Sequence, residues 1–137
     1  MNLSNTARYA IRVISYMAYN KKELYTASEL VEALQISDKY LKRILTTLSQ
    51  HHIIRSIQGR HGGFAITGRP EDITIYDIVA AIEVIDKYYG CVLGFEVCSD
   101  EHPCALHKKW APIRDELVQF LNNNTIADVM TTEFNKF

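Results

Sequence analysis

The sequence predicts a mainly α-helical fold with one small two-stranded β-sheet, followed by a long C-terminal helix. Apolar side chains recur every three or four residues in five separate segments, which is the period of an amphipathic helix. One glycine-rich stretch lies between two short β-branched segments, which indicates a hairpin. The 137 residues, 47% of them hydrophobic, suffice for one ordinary domain with its own core.

Three helices are expected in the first fifty residues. Spaced apolar side chains predict the first at about residues 4–20. Residues 26–29 match a capping box, in which a threonine hydroxyl and a glutamate carboxylate each bond an orphan amide at a helix start, so a second helix should follow and end near Leu34. Ser37 can cap a third helix that reaches about Gln50. The three residues between the second and third helices complete a helix-turn-helix.

A β-hairpin should follow the third helix. Residues 54–57 and 64–67 read as short strands, and the glycine-rich residues 58–63 read as the turn between them. A helix-turn-helix followed by such a hairpin is a winged helix-turn-helix, whose second motif helix enters the major groove of DNA. The hairpin tip, or wing, then reaches the phosphates or the neighbouring minor groove.

The residues expected to contact DNA lie on the outer face of the third helix and at the tip of the wing. They are Ser37, Lys39, Tyr40, Lys42, Arg43 and Thr46 on the helix, and Gln58, Arg60 and His61 on the wing. Residues 1–70 hold ten Lys or Arg against four Asp or Glu, whereas residues 71–137 hold five against twelve. A basic front half suits a polyanion. The alternative is that these side chains form an ordinary solvated surface.

The back half divides into three predicted parts. A capped helix from Thr74 to about Ile85 completes a DNA-binding domain of residues 1–85. Residues 86–103 read as a long loop, and residues 104–137 as an amphipathic helix with a C-terminal tail. Pro112 predicts a kink or a later helix start. The apolar side of the long helix comprises Leu106, Trp110, Ile113, Leu117, Phe120 and Leu121, and we expect it to mediate dimerisation.

The loop and the start of the long helix hold the candidate metal ligands Cys91, Cys98, Cys104 and His107. Three thiolates and an imidazole form a plausible ligand set for zinc or an iron–sulfur cluster. We expect Cys104 and His107, three positions apart, to project to the same side of the helix start. The spacing alone leaves a second possibility open, in which the cysteines are free thiols and His107 is a surface or capping residue.

The N-terminal segment indicates the cellular compartment in which we expect the protein. Residues 1–19 are apolar only at spaced positions and carry Arg8 and Arg12, so they match neither a signal peptide nor a membrane span. We therefore expect a cytoplasmic protein without a membrane partner. Cytosolic reductants disfavour structural disulfides, so an odd number of clustered cysteines favours metal binding or redox chemistry.

Several motifs along the chain resemble IscR-like winged-helix repressors of the Rrf-two family. They are Arg8-Tyr9-Ala10, Ile36-Ser37 with Tyr40-Leu41, Gly62-Gly63-Phe64, Ile75-Tyr76-Asp77-Ile78-Val79, Cys104-Ala105-Leu106-His107 with Trp110, and Phe120-Leu121-Asn122-Asn123 with Thr125-Ile126. The resemblance extends over nearly the whole chain.

This resemblance implies a homodimeric regulator that binds a double-stranded DNA operator. It further implies a 2Fe–2S cluster held by Cys91, Cys98 and Cys104, with His107 as the fourth ligand. Related nitric-oxide sensors take a carboxylate near position 8 of the partner chain, where this sequence has Arg8, a poor iron ligand. Lys42 stands where the family often has glutamate, and the wing arginine is moved two places, so the DNA sequence recognised should differ.

Two other classes of function could also use these cysteines and this histidine. In the first, a regulator without a cluster responds through thiol oxidation or a partner protein. In the second, Cys and His act as nucleophile and base of an enzyme. No glycine-rich cofactor loop or second catalytic constellation supports the enzyme, and the winged helix would be unexplained, so we predict a protein that is not an enzyme.

Overall fold

The computed structural model describes residues 1–130, which form six α-helices and one antiparallel two-stranded sheet. The elements are α1 (Asn5–Asn20), α2 (Ala27–Leu34), α3 (Asp38–Gln50), β1 (Ile54–Ile57), β2 (Gly63–Ile66), α4 (Ile75–Ile82), α5 (His107–Asn123) and α6 (Ile126–Val129). Two short 3-10 turns, Pro70–Asp72 and Ile85–Tyr88, lie between them. The predicted fold class, a mainly α-helical winged helix-turn-helix with a long C-terminal helix, is confirmed. The last seven residues of the predicted C-terminal segment, 131–137, lie outside the described residues.

Local capping explains the boundaries of the first helices. The Ser4 hydroxyl accepts a hydrogen bond from the Ala7 amide at 3.1 Å and so begins α1. At the start of α2, Thr26 and Glu29 form the predicted capping box. Gln35 ends α2 in the left-handed region, with φ of 54°, and this residue makes the turn of the helix-turn-helix.

One core joins the front and back of the described chain. Helix α1 packs against α3, α4 and α6, and its inward face is lined by small and branched side chains. The largest fully buried side chains are Val13, Ile14, Met17, Leu30, Leu41, Ile44, Leu45, Leu48, Ile54, Ile78, Leu121 and Ile126. Leu121 of α5 and Ile126 of α6 belong to the same cluster as α1 and α3. The C-terminal segment therefore completes the core of the DNA-binding part.

The structure corrects the predicted boundaries in the back half. Helix α4 ends at Ile82 because Glu83 turns to an extended conformation with φ of −147°, and the 3-10 turn Ile85–Tyr88 then occupies the start of the predicted loop. Helix α5 begins at His107, so Cys104 lies in the preceding turn. Pro112 lies inside α5, which assigns the residues on both sides of it to one helix.

Two backbone pairings join segments that are distant in the sequence. The backbone of Tyr25 exchanges hydrogen bonds of 2.9 and 2.8 Å with Phe64, which ties the wing to the segment before α2. A side chain on Gly63 would lie 2.7 Å from the carbonyl oxygen of Tyr25, so this close approach requires glycine. Near the C-terminus, the Ile75 and Ile126 amides bond the carbonyls of Asn124 and Ile73 at 2.9 Å. Within residues 1–130, no helix has both the length and the apolar character that a membrane span requires.

Candidate DNA-binding surface and metal centre

Helix α3 presents a polar outer face. Its apolar side chains Leu41, Ile44, Leu45 and Leu48 are buried, which leaves Lys39, Lys42, Arg43 and Thr46 exposed on the other side. Lys42 forms an exposed ion pair with Asp38 at 2.9 Å. Such a surface pair is weak, so DNA phosphates can compete for the lysine. This exposed face is where the helix-turn-helix geometry places DNA contacts.

Two of the predicted contact residues have additional structural roles. Ser37 caps α3, and its hydroxyl accepts a hydrogen bond from the Tyr40 amide at 3.4 Å. Tyr40 is half-buried against α1, where its hydroxyl lies 2.5 Å from the Thr6 hydroxyl and its ring packs edge-on against Tyr9 at 5.7 Å. Unlike the other predicted contacts on α3, Tyr40 therefore packs against α1 and helps to set the angle of α3.

The wing tip is exposed and held by backbone contacts. Strands β1 and β2 pair from Ile54–Ile66 to Ile57–Gly63, and the Gly62 amide bonds the Gly59 carbonyl at 3.1 Å within the connecting turn. Gly59 has φ of 108°, a conformation that other residues rarely adopt. The predicted contacts Gln58, Arg60 and His61 are all exposed at this tip. The wing is thus able to extend a cation away from the body.

The structure places the four predicted metal ligands in two pairs. The Sγ atoms of Cys91 and Cys104 are 3.9 Å apart, and the Sγ of Cys98 lies 3.5 Å from Nδ1 of His107. Cys104 and His107, expected to act from one helix face, instead belong to different pairs because α5 begins after Cys104. All three cysteines are free thiols and half-buried, and His107 is buried.

An exposed carboxylate contacts the side of the His107 ring that faces away from Cys98. Nε2 of His107 lies 2.8 Å from Oδ1 of Asp100, which accepts its hydrogen. The ring nitrogen that faces Cys98, Nδ1, is then the unprotonated one in the neutral imidazole. This is the tautomer that a metal ligand needs, and carboxylates commonly orient metal-binding histidines in this way.

Hydrogen-bond donors surround two of the thiols. Arg114 donates from Nη1 to Sγ of Cys98 at 3.3 Å and to the Cys98 carbonyl at 3.4 Å. Burial acts to raise the pKa of the Cys91 thiol, but hydrogen bonds from the backbone amides of Phe95, Leu93 and Gly94 and from Cys104 outweigh it and lower that pKa. The environment of Cys91 therefore favours the thiolate, the form that ligates metals.

Comparison with known proteins identifies the family. Residues 3–132 match the family described as Rrf2, iron-dependent transcriptional regulator. The chain belongs to the Rrf2 family. It is 31% identical over 135 residues to a putative HTH-type transcriptional regulator of Aquifex aeolicus, covering 97% of this chain and 94% of the relative. It is 26% identical over 134 residues to the HTH-type transcriptional regulator IscR of Sodalis glossinidius, covering 97% and 81%.

A solved structure agrees with this assignment. The structure of CymR, the global cysteine regulator of Bacillus subtilis, superposes with a TM-score of 0.77 at 25% identity, covering 97% of this chain and 99% of CymR. These Rrf2 relatives are transcriptional regulators that carry a helix-turn-helix. The Rrf2 chain described here is accordingly a DNA-binding transcriptional regulator, and the wing and α3 are the parts of it that match this role.

The donor atoms in this Rrf2 protein lie as two pairs. Among residues 1–130, no three His, Cys, Asp or Glu side chains converge on one point as a single tetrahedral ion requires. A tetrahedral metal with sulfur ligands at about 2.3 Å holds two of them roughly 3.8 Å apart. The two donor pairs, at 3.9 and 3.5 Å, each have about the separation of two ligands on one tetrahedral metal. Three cysteines and one histidine fit the chemistry of a 2Fe–2S cluster.

Three residues on one face of helix α5 hold the cysteine-containing segment, and one of them, Arg114, is not among the predicted site residues. His107, Trp110 and Arg114 recur at helical spacing along one face, and Nε1 of Trp110 donates to the Gly90 carbonyl at 2.8 Å. Asp100 and Arg114 were missed because each is an ordinary charged residue in sequence. The seven-residue spacing of His107 and Arg114, two turns on one face, is the signal that could have found the arginine.

The rest of the predicted apolar side of α5 divides into two stripes. Leu121 points into the core. Leu106 at the helix start is 41% exposed, Ile113 is 52% exposed and Phe120 is 55% exposed. These three residues are spaced by seven, so they form one continuous outward stripe. Exposed apolar stripes of this kind are typical of helix pairing.

Proposed function

We propose that this protein is a homodimeric, sequence-specific transcriptional regulator whose affinity for its DNA operator responds to a 2Fe–2S cluster. Cys91 and Cys104 would hold one iron, and Cys98 and His107 the other. The observation that carries the proposal is the orientation of His107, whose Nδ1 faces Cys98 while Asp100 engages the opposite nitrogen. The bound cluster would supply one-electron redox chemistry and a covalent link between the segment and α5.

The cysteine-containing segment has a physical connection to the DNA-binding part. The 3-10 turn Ile85–Tyr88 ends three positions before Cys91, and its Tyr88 hydroxyl donates to Glu83 at 2.7 Å and to the carbonyl of Asn2 at 3.4 Å. Glu83 also accepts from the amide of Ser4, the cap of α1, at 3.4 Å. Because α1 packs on α3, a change at the cysteines can alter the position of the DNA-contacting helix.

The dimer that we propose would pair the outward stripe of α5 with its copy in a second chain. Leu106, Ile113 and Phe120 supply the exposed apolar surface. Pairing of identical stripes gives two-fold symmetry, and two-fold symmetry places two copies of α3 on the half-sites of a palindromic operator. Operator recognition would use the exposed contacts on α3 and on the wing.

The first experiment is anaerobic purification without added metal, followed by the visible spectrum and by iron, sulfide and zinc analysis per chain. We expect brown protein with iron and acid-labile sulfide. His107→Ala should change the spectrum and Cys98→Ala should abolish the cluster, whereas His102→Ala, which removes an exposed histidine of the same segment, should leave it unchanged. Stoichiometric zinc without sulfide would contradict the proposal.

A second experiment connects the cluster to DNA. Sequences bound by the loaded protein are selected from random duplexes, and the affinity for the best of them is compared between loaded and cluster-free protein at one fixed salt concentration. We expect the two affinities to differ at least tenfold, with Cys98→Ala behaving like the cluster-free form. Equal affinities would show that the cluster does not control DNA binding.

One observation favours a second candidate function, a thiol-based regulator without a cluster. Cys91 and Cys104 are already 3.9 Å apart, and a disulfide requires about 2.05 Å. A peroxide could take two electrons and two protons from the pair to form one S–S bond, and the peroxide would be reduced to water. This candidate predicts metal-free protein whose DNA affinity changes on oxidation and is restored by a dithiol, with Cys91→Ser insensitive and Cys98→Ser still sensitive.

A further inference from the structure

Arg114 contacts Cys98 at two points. The guanidinium Nη1 donates both to the Cys98 sulfur at 3.3 Å and to the Cys98 carbonyl oxygen at 3.4 Å. Arg114 belongs to none of the sequence motifs described above, and it is not among the four proposed ligands. Its charge lies closer to a proposed ligand sulfur than that of any other Lys or Arg contact described for residues 1–130.

The guanidinium is held in place from its other side. Asp115 accepts from Nε and Nη2 of Arg114, both at 3.0 Å, so the group is fixed between a carboxylate and a thiol. The Arg114 side chain is 22% exposed, whereas that of Asp115 is 59% exposed. Water therefore screens the aspartate more than the arginine, and the positive charge is the stronger influence at the sulfur. A guanidinium is not deprotonated in proteins, so the charge persists at any physiological pH.

A fixed cation at a ligand sulfur affects the redox equilibrium of the group that the sulfur holds. One-electron reduction adds one negative charge without breaking any ligand bond, and a donated hydrogen bond from a cation stabilises that charge. We propose that Arg114 is a positioning residue that raises the reduction potential of the cluster by its hydrogen bond to Cys98. This inference rests on the proposed function, because it concerns the cluster that the four ligands would hold.

The geometry also requires arginine in particular. The planar guanidinium donates to Asp115 and to Cys98 at the same time, which a lysine ammonium at the same position could do only with less defined direction. Lysine would keep the positive charge and lose the fixed bond. Comparison of the two residues therefore separates the effect of charge from that of hydrogen-bond geometry.

The experiment is an anaerobic redox titration of loaded protein, with dithionite as electron donor and the visible spectrum as readout. Arg114→Gln keeps the side-chain length and removes the charge. We expect its ratio of reduced to oxidised cluster at a fixed potential to fall about tenfold, which is about 59 mV for one electron. Arg114→Lys should fall between this variant and the wild type. Lys109→Gln removes an exposed cation from the same helix and should leave the ratio unchanged.

A second variant keeps the proposal testable if Arg114→Gln does not fold or does not load. Asp115→Asn preserves Arg114 and removes the neighbouring negative charge, so the ratio should rise. Loaded Arg114→Gln or Asp115→Asn with the wild-type potential would overturn this inference and leave the proposed function standing. Wild-type protein that takes no cluster would overturn the proposed function, and this inference with it.

Discussion

The N-terminal body, residues 1–85, and the cysteine-containing segment, residues 90–106, are stabilised in different ways. The body buries most of its large aliphatic side chains, and its helices pack on one another through α1. The segment leaves Val92, Leu93, Phe95 and Val97 at least half exposed and contacts α5 mainly through polar groups. The body therefore has the burial to fold without a ligand, whereas the segment gains little from burial and depends on the groups that its thiols bind.

This difference suits a sensor. A region with few buried contacts can change its structure at small free-energy cost, and a stable body can transmit that change without unfolding. The Tyr88–Glu83–Ser4 contacts join the two at the start of α1. The following variants test each side of the comparison, beginning with the largest expected effect.

Two leucine substitutions test the comparison directly in cluster-free protein. Leu45 of α3 is fully buried, and Leu93 of the segment is 50% exposed. We expect Leu45→Ala to lower the free energy of unfolding by about 2–5 kcal/mol, because it leaves a cavity in the core. Leu93→Ala should lower it by less than about 1 kcal/mol. Urea denaturation followed by circular dichroism measures both, and equal losses would show that the segment is part of the cooperative core.

The contact between the two regions gives the next prediction. Partial burial acts to raise the pKa of the Glu83 carboxyl, but hydrogen bonds from Lys87, Tyr88 and the Ser4 amide outweigh it and lower that pKa. We expect Glu83→Gln to cost about 1–3 kcal/mol at pH 7, as is typical of hydrogen bonds to a charged group. The exposed Glu96→Gln serves as the control and should cost almost nothing.

The pH dependence of this loss has a definite sign. A carboxyl whose pKa is lower in the folded state stabilises the protein above its unfolded pKa, about 4.3, and the contribution is lost as the pH falls through the folded value. The stability difference between wild type and Glu83→Gln should therefore be constant near neutral pH and decrease below about pH 4. A difference that stays constant down to pH 3 would mean that the carboxylate charge is not what stabilises the contact.

DNA binding should depend on the exposed face of the body and not on α5. We expect Arg43→Ala or Lys42→Ala to weaken binding to duplex DNA roughly tenfold at fixed salt and, where a phosphate contact is lost, to reduce the slope of log affinity against log salt by about 1. Lys109→Ala removes an exposed cation from α5 and serves as the control. If both α3 variants keep the wild-type affinity and slope, DNA binds to another surface of the protein.

The body was largely predictable from the sequence, and the reason is burial. The apolar period of α1 and α3, the capping box at Thr26 and the turn glycines are local signals, and each agrees with the structure. Helix α4 ends three residues before the predicted Ile85, where the backbone of Glu83 is extended and its carboxylate accepts a hydrogen bond from Ser4, 79 positions away. Such long-range contacts leave no local signal.

The site was less predictable because its geometry depends on partners. The four candidate ligands can be recognised by residue type, but their pairing cannot. Because α5 begins at His107, Cys104 lies in the turn before the helix and pairs with Cys91. Asp100 acts through the direction of its side chain, which periodicity does not encode. Tyr40 illustrates the converse case, since a residue next to exposed cations packs inward against Thr6.

The last prediction concerns a small defect inside the otherwise well-packed body. Ser15 of α1 is 1% exposed, and its hydroxyl has no hydrogen-bond partner among residues 1–130. Burial of an unpaired hydroxyl is unfavourable, and alanine also has the higher helix propensity. We expect Ser15→Ala to raise the free energy of unfolding by about 1 kcal/mol. Thr6→Ala on the same helix, which removes a paired hydroxyl, should lower it instead. If Ser15→Ala is destabilising in urea denaturation, its hydroxyl has a partner in solution, and α1 is packed more completely than the structure indicates.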